Sequence, residues 1–160
     1  MTGTFVQLTN AQFSRALSDP SALEGMIQPG QETPVLDVDK SWEAIFFILT
    51  GSALAEDPDH PMGRVVFSQQ FFDEDQDMGY GPAHYVTPDQ VKELNTELQL
   101  ITDEEVRSRF DGQRMDEMSI YPEGWEEEGS FDYLADNFME LRSFYASAAL
   151  NNAAVVFFVS

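Results

Sequence analysis

The 160-residue chain contains no cysteine and only two histidines, His60 and His84. Without a thiol it cannot form a disulfide, an iron–sulfur cluster, a thiolate zinc site or a cysteine nucleophile. The histidine spacing cannot build a His-x-x-x-His zinc site, and the Gly-x-Ser-x-Gly elbow of many serine hydrolases is missing. These absences exclude several of the commonest catalytic chemistries.

Basic residues are also scarce, since 8 Lys and Arg stand against 29 Asp and Glu, giving a formal net charge of −21. Such a surface repels phosphate backbones and anionic lipid, so neither nucleic acid nor a membrane is expected as a partner. Three explanations of the acidity stay open: solubility, the acidic composition typical of proteins from high-salt environments, or a cationic partner. The last predicts a cationic protein surface of the kind that toxin-immunity proteins neutralise.

The chain has no long hydrophobic run and no nucleotide motif. Its longest apolar stretch, near Ile45–Leu49, is far shorter than the roughly 20 residues of a membrane span. The first residues lack the basic and apolar regions of a secretory signal, so a cytoplasmic location is expected. Gly79-Tyr80-Gly81-Pro82 supplies only two glycines of a dinucleotide fingerprint, and no phosphate-binding Gly-Lys-Ser/Thr occurs. No cofactor is predicted.

Apolar residues make up 42% of the chain, enough for the core of one domain covering residues 1–160. The patterns predict an α+β fold in which about six helices cover a small mixed sheet. Ala154–Val159 is apolar throughout and is predicted to be a central strand. Thr87 and Gln90 predict a capping box at a helix start, and residues 63–68 predict a further strand.

The first candidate site segment is Asp37-Val38-Asp39-Lys40-Ser41-Trp42, a predicted strand-to-helix turn. In a ligand site, Asp37 or Asp39 would be a general base tuned by burial and by Lys40, and Trp42 would stack on the ligand. The structural alternative is local. Asp39 would cap the helix, Lys40 would pair with Asp37, and Trp42 would belong to the core.

Two aromatic loops complete the candidate site. Glycines flank Tyr80 in the first loop, so its backbone can adopt positive φ angles and approach a ligand closely. The second loop runs from Tyr121 to Trp125. We expect all three segments to meet around one concavity if the protein binds a small molecule, and the structural alternative is a tight turn with core aromatics. The candidate ligand-binding residues are Asp37, Asp39, Lys40, Trp42, Gly79, Tyr80, Gly81, His84, Tyr85, Tyr121 and Trp125.

Asp73, Asp75 and Asp77 have the spacing of the first three ligands of a calcium loop. That loop also needs glycine at its sixth position and glutamate at its twelfth, where this chain has Met78 and His84. An EF-hand is therefore excluded. The three aspartates are weak candidates for a surface cation site, and no metal is predicted.

Several of these segments resemble the YfbM-like family of small bacterial proteins, which carry domain of unknown function 1877. The resemblance runs from about Phe5 to Val159. It rests on Leu36–Trp42, Leu49-Thr50-Gly51, Gly79–Ala83 with Tyr85, Thr87-Pro88, Ile120-Tyr121-Pro122 and Phe144-Tyr145. It implies a single α+β domain and supplies no activity, cofactor or catalytic residue. Family members often carry a histidine in the helix after the tryptophan, and Ala44–Leu49 has none.

The favoured function is a non-enzymatic acidic binding or interaction protein. The chain has no thiol, few histidines and no phosphate-binding loop, and its net charge is strongly negative. The alternative is a small-ligand-binding protein or a hydrolase-type enzyme with a pocket built from the Asp37–Trp42 turn, the Gly79–Tyr85 loop and Tyr121–Trp125. An enzyme is the less favoured of the two.

Overall fold

Four strands form one sheet in the order β2-β1-β4-β3 in the computed structural model, which describes all of residues 1–160. The strands are β1 (Gly3–Leu8), β2 (Val35–Asp37), β3 (His84–Val86) and β4 (Ala154–Val159). β4 lies inside the sheet with all its residues buried, so the predicted central strand is confirmed.

Seven α-helices accompany the sheet, which confirms the α+β class. They are α1 (Asn10–Ser18), α2 (Ala22–Met26), α3 (Trp42–Thr50), α4 (Pro88–Leu100), α5 (Asp103–Arg109), α6 (Gly112–Glu117) and α7 (Ser130–Leu150). The sheet, expected to be mixed, is antiparallel at all three pairings. Apolar patterns predict strands but carry no information on their relative direction. No helix combines the length and the apolar character that crossing a lipid bilayer would require.

Each face of the sheet covers its own apolar core. Because side chains alternate along β1, Phe5 points to the larger core, formed with α3, α4 and α7, and Val6 points to the smaller one, formed with α1 and α2. The predicted capping box is present, since Thr87 accepts the N–H of Gln90 and the Gln90 side chain accepts that of Thr87. α4 therefore begins where the sequence indicates.

The strand predicted over residues 63–68 is wrong. Pro61–Val65 forms a 3-10 helix instead, and Nδ1 of His60 accepts the N–H of Met62 at its start. Gly63 lies so close to the ring of Phe46 that a Cβ atom would overlap it. The chain therefore turns against α3 rather than joining the sheet.

The helix cap considered at Asp39 is not formed, and α7 also begins without a side-chain cap. Asp39 has a φ of 49° and lies in a 3-10 turn, Asp39–Ser41, so its carboxylate does not cap α3. Ser130 is the first residue of α7, and Gly129 occupies the N-cap position with a φ of 88°. The Ser130 hydroxyl donates to the carbonyl of Gly124.

Candidate functional site

The first candidate segment lies at the end of the sheet where β1 begins and β4 ends. The backbones of Thr2 and Ser160 pair there, with N···O distances of 2.7 and 3.0 Å. A Cβ atom on Gly3 would come within 2.8 Å of Cβ of Trp42. Glycine at this position therefore lets the start of α3 pack directly on the start of β1.

The other two candidate segments reach the same end of the sheet. A Cβ atom on Gly79 would lie 2.8 Å from Cα of Ser160, and the N–H of Tyr80 donates to the last carbonyl of β4 at 3.0 Å. The Tyr121 hydroxyl donates to the carbonyl of Met1 at 3.4 Å. All three segments thus contact the paired chain ends.

Four side chains form what we call the aromatic cluster: Trp42, Phe67, His84 and Tyr121. Ring centroids lie 5.3 Å apart between Trp42 and Tyr121, 5.7 Å between Trp42 and Phe67, and 5.1 Å between Phe67 and His84. Trp42 is only 7% exposed, and its Nε1 atom has no hydrogen-bond partner. An unpaired buried donor of this kind is costly in free energy.

His84 acts as a neutral hydrogen-bond acceptor in this cluster. Burial lowers the pKa of His84 to about 4, so the imidazole is uncharged at neutral pH. Its Nδ1 atom accepts the N–H of Gln69 at 3.2 Å. Gln69 has a φ of 59°, a conformation that costs free energy for a residue with a side chain. His84 therefore fixes a strained point of the preceding loop.

Asp39 belongs to a separate group with Tyr133 and Trp125. The Tyr133 hydroxyl donates to Oδ2 of Asp39 at 2.9 Å and accepts the N–H of Lys40 at 3.1 Å. Burial, together with the hydrogen bond to Asp39, raises the pKa of Tyr133 to about 12. Trp125 lies 6.2 Å from the Tyr133 ring. Asp37 accepts the N–H of Asp39, and no ion pair joins it to Lys40.

Two predicted site residues lie apart from these groups. Tyr85 faces the smaller core, with its ring 5.3 Å from Phe13 and 4.8 Å from Phe72. Tyr80 is 65% exposed, between Gly79 and Gly81 with φ angles of 128° and 98°. The glycines adopt the expected positive φ angles, but neither the Tyr80 ring nor the Tyr85 ring packs against the aromatic cluster.

Asp73, Asp75 and Asp77 lie in an exposed loop that is held by hydrogen bonds between its own residues. Oδ1 of Asp73 accepts the N–H of Asp75, and Oδ1 of Asp77 accepts that of Gly79. The structure contains no group of three or more side chains arranged to hold a metal ion. Asp73 and Asp77 therefore stabilise the turns of this loop.

A groove of about 550 Å³ runs between β2 and α7, and we call it the β2–α7 groove. Val35 on the strand is 51% exposed and Met139 on the helix is 47% exposed. Its walls include Val35, Leu36, Met139, Glu140, Ser143 and Phe144. The sequence does not reveal this groove, because its two walls are remote in the chain and the exposure of Val35 and Met139 is known only from the structure.

A smaller cavity of about 310 Å³, the Arg64 pocket, lies against the loop before β3. Its lining includes Pro58, Asp59, Pro61, Arg64, Phe67 and Gln69. Phe67 also belongs to the aromatic cluster, so the pocket adjoins the predicted site. The sequence pattern predicts a strand over residues 63–68 and so gives no sign of a pocket here.

Comparisons with known proteins agree with this architecture. The crystal structure of YfbM from Escherichia coli, a protein of unknown function, is 22% identical, with 98% of each chain covered and a TM-score of 0.78. At that identity the likeness shows the fold alone. No curated protein matches the sequence. The family model described as "Domain of unknown function (DUF1877)" matches residues 1–158, and the chain therefore belongs to the DUF1877 family.

Proposed function

We propose that the protein is a non-enzymatic binding protein that holds a cationic, extended segment of a partner protein in the β2–α7 groove. The observation that carries this proposal is an unpaired sheet edge with exposed apolar side chains beside an acidic helix face. Extended peptides commonly bind by adding a strand to such an edge.

The strand register leaves hydrogen-bonding groups free at this edge. Leu36 pairs with Phe5, and on either side of it the carbonyl of Pro34 accepts the N–H of Gln7 and the N–H of Val38 donates to the carbonyl of Gly3. In an antiparallel ladder the alternate residues face the other way. The backbone groups of Val35 and Asp37 therefore point away from β1, where no strand of this chain lies. Together they offer a short template for an incoming strand.

The side chains around the groove favour a cationic apolar segment. Val35 and Met139 provide exposed apolar surface, and Glu140 is the only ionised residue lining the groove. Exposed Asp136 lies one turn earlier on α7, and no Lys or Arg lines the groove. With a net charge of −21, the protein would steer a basic partner to this surface at a salt-dependent rate.

The candidate catalytic groups support a binding rather than an enzymatic role. Asp39 accepts the Tyr133 hydroxyl, Asp37 accepts a backbone N–H, and His84 holds Gln69. Asp37 and Asp39, the two residues that the enzyme alternative would use as a general base, therefore already have structural partners. None of them lines the β2–α7 groove.

The test is to measure, by fluorescence anisotropy, the binding of a capped peptide of alternating lysine and valine. The titration is carried out at about 50 and about 500 mM NaCl. We expect saturable binding at low salt that weakens strongly at high salt. Glu140→Lys should weaken binding about tenfold, because it places a like charge against the peptide. NMR shifts should concentrate on residues 34–37 and on the facing side of α7.

Glu93→Lys is the matched control. Glu93 is exposed on α4, which follows β3 at the opposite edge of the sheet. It changes the net charge equally, so it should alter the affinity by about twofold or less. Equal effects of the two variants, or no saturable binding at low salt, would refute the proposal.

A further inference from the structure

We infer that the Arg64 pocket binds a small zwitterion that carries a carboxylate and an ammonium group, of the size of a free α-amino acid. This inference is independent of the proposed function, because the pocket and the β2–α7 groove share no residue. It rests on the unpaired charges of the pocket, on its rigid walls and on its volume.

Arg64 is a half-buried cation without an intramolecular partner. It forms neither an ion pair nor a hydrogen bond, although acidic residues outnumber basic ones by 29 to 8. Arg109, Arg114 and Arg142 each donate to a backbone carbonyl. Arg107 lies over the Phe131 ring, and the remaining arginine, Arg15, is exposed on a helix. A guanidinium held free in a pocket matches a carboxylate, which it can bind through two hydrogen bonds.

The backbone that carries Arg64 is fixed by close packing. Gly63 is buried against Phe46, where no side chain would fit. Nδ1 of His60 caps the 3-10 helix at Met62, and Pro61 begins that helix. A rigid turn keeps the cost of ordering the site low when a ligand binds.

The lining residues Ser68 and Gln69 are held in place by hydrogen bonds to β3. His84 accepts the N–H of strained Gln69, and the Ser68 hydroxyl donates to the carbonyl of Tyr85 at 2.6 Å. The Phe67 ring packs edge-on against Trp42 and His84, and likewise against Phe46 and Phe157 in the core. The pocket therefore has a preformed aromatic wall for an apolar side chain.

Asp59 supplies the second charge. It is exposed, lines the same pocket as Arg64, and forms no ion pair with it. Two opposite charges that border one cavity without neutralising each other complement a ligand with both charges. A cavity of about 310 Å³ lies at the lower limit of ordinary ligand pockets, which suits a molecule of amino-acid size. Phe67 favours amino acids with apolar or aromatic side chains.

The test is a thermal-shift titration of the full chain with each standard L-amino acid in turn, up to about 10 mM, a range that detects millimolar affinities. We expect at least one apolar or aromatic amino acid to raise Tm in a saturable way. Its N-acetyl derivative, which lacks the ammonium, and its amide, which lacks the carboxylate, should each bind about tenfold more weakly. NMR shifts should concentrate on residues 58–69.

Arg64→Gln should weaken binding about tenfold or more, and Asp59→Asn should weaken it by a similar factor. Arg15→Gln removes an exposed charge elsewhere and should leave binding unchanged. Because Arg64 and Asp59 form no ion pair, both variants should keep the wild-type circular dichroism. Absence of any saturable shift, equal binding of either derivative, or full binding by Arg64→Gln would each overturn the inference. None of these results depends on the lysine–valine peptide.

Discussion

The indole ring of Trp42 stacks on the phenol ring of Tyr121, with centroids 5.3 Å apart and planes inclined by 24°. The backbone N–H of Tyr121 also donates to the carboxylate of Glu43 at 2.9 Å. These contacts fasten the loop after α6 to the start of α3. They leave Nε1 of Trp42 buried without an acceptor, whereas Nε1 of Trp125 donates to the carbonyl of Ile120 at 3.0 Å.

This difference predicts unequal costs for replacing the two tryptophans by phenylalanine. Trp42→Phe removes an unpaired donor together with part of the ring, while Trp125→Phe also leaves the buried carbonyl of Ile120 without its partner. We expect Trp125→Phe to lower the free energy of unfolding by about 1 kcal/mol more than Trp42→Phe. Urea denaturation followed by far-ultraviolet circular dichroism measures both on one scale. Equal losses would mean that the Trp125 hydrogen bond adds no net stability.

The parts of the fold that the sequence predicted well depend on local patterns. The capping box at Thr87 involves residues three apart, and the apolar run Ala154–Val159 marks a buried strand by its own composition. The 3-10 helix over Pro61–Val65 instead depends on how Gly63 meets Phe46. That contact joins distant parts of the chain, so no pattern within residues 61–65 reveals it.

The candidate site shows the same division. The sequence predicts that three segments meet around one concavity. In the structure they contact the paired chain ends, whereas Tyr80 is exposed and Trp125 packs with Tyr133. The role of Asp39 could not be predicted, because its partner Tyr133 lies 94 residues away. The Arg64 pocket likewise depends on what Arg64 fails to contact, a property that only coordinates reveal.

Asp116 organises the loop that carries Trp125. Its carboxylate accepts the N–H groups of Trp125 at 2.9 Å, Gly124 at 2.8 Å and Glu126 at 3.1 Å. These backbone hydrogen bonds, chiefly that from Trp125, hold the pKa of Asp116 below its ordinary value. The resulting stabilisation is present above the unfolded pKa and is lost as the pH falls through the lower folded pKa.

We therefore expect Asp116→Asn to destabilise the protein at neutral pH by on the order of 1 kcal/mol, since an amide offers one acceptor oxygen. The difference from wild type should shrink as the pH falls below the ordinary aspartate pKa of about 4, because the unfolded wild-type chain then takes up the proton before the folded carboxylate does. Urea titrations at several pH values measure this. Glu117→Gln, the neighbouring neutralisation, should change stability little, and a pH-independent loss in Asp116→Asn would contradict the assignment.

His84 gives a pH dependence of the same direction for a different reason. Burial lowers the pKa of His84 to about 4 from the ordinary 6.5, so between these values the unfolded chain binds the extra proton. Its contribution to stability is complete above pH 6.5 and is lost as the pH falls towards 4. Allowing for partial exposure, we expect a loss of up to about 2 kcal/mol.

His84→Asn isolates this contribution, because its Oδ1 atom can still accept the N–H of Gln69 while the side chain no longer titrates. The variant loses ring contacts and should be less stable at neutral pH. Its free energy of unfolding should fall less steeply than that of wild type as the pH is lowered through this range. Parallel curves for the two proteins would show that His84 titrates normally. An NMR titration of the His84 ring checks the pKa directly.

Gly63 and Gly25 form a matched pair of glycine positions. A Cβ atom on Gly63 would overlap the ring of Phe46, which is fully buried. A Cβ atom on Gly25, within α2, would meet nothing within 4 Å. We expect Gly63→Ala to cost about 1–3 kcal/mol by overpacking. Gly25→Ala should instead stabilise the protein by up to about 1 kcal/mol through helix propensity.

Gly63→Ala also distinguishes the two proposed binding surfaces, the Arg64 pocket and the β2–α7 groove. Arg64 follows Gly63 directly, so displacement of the 3-10 helix in Gly63→Ala should weaken amino-acid binding several-fold at a temperature where the variant is still folded. The β2–α7 groove shares no residue with that helix, so the affinity for the lysine–valine peptide should stay at the wild-type value. Thermal-shift and anisotropy titrations on one preparation give both readouts. If Gly63→Ala matches wild type in stability and in amino-acid binding, the close contact between Gly63 and Phe46 does not position Arg64.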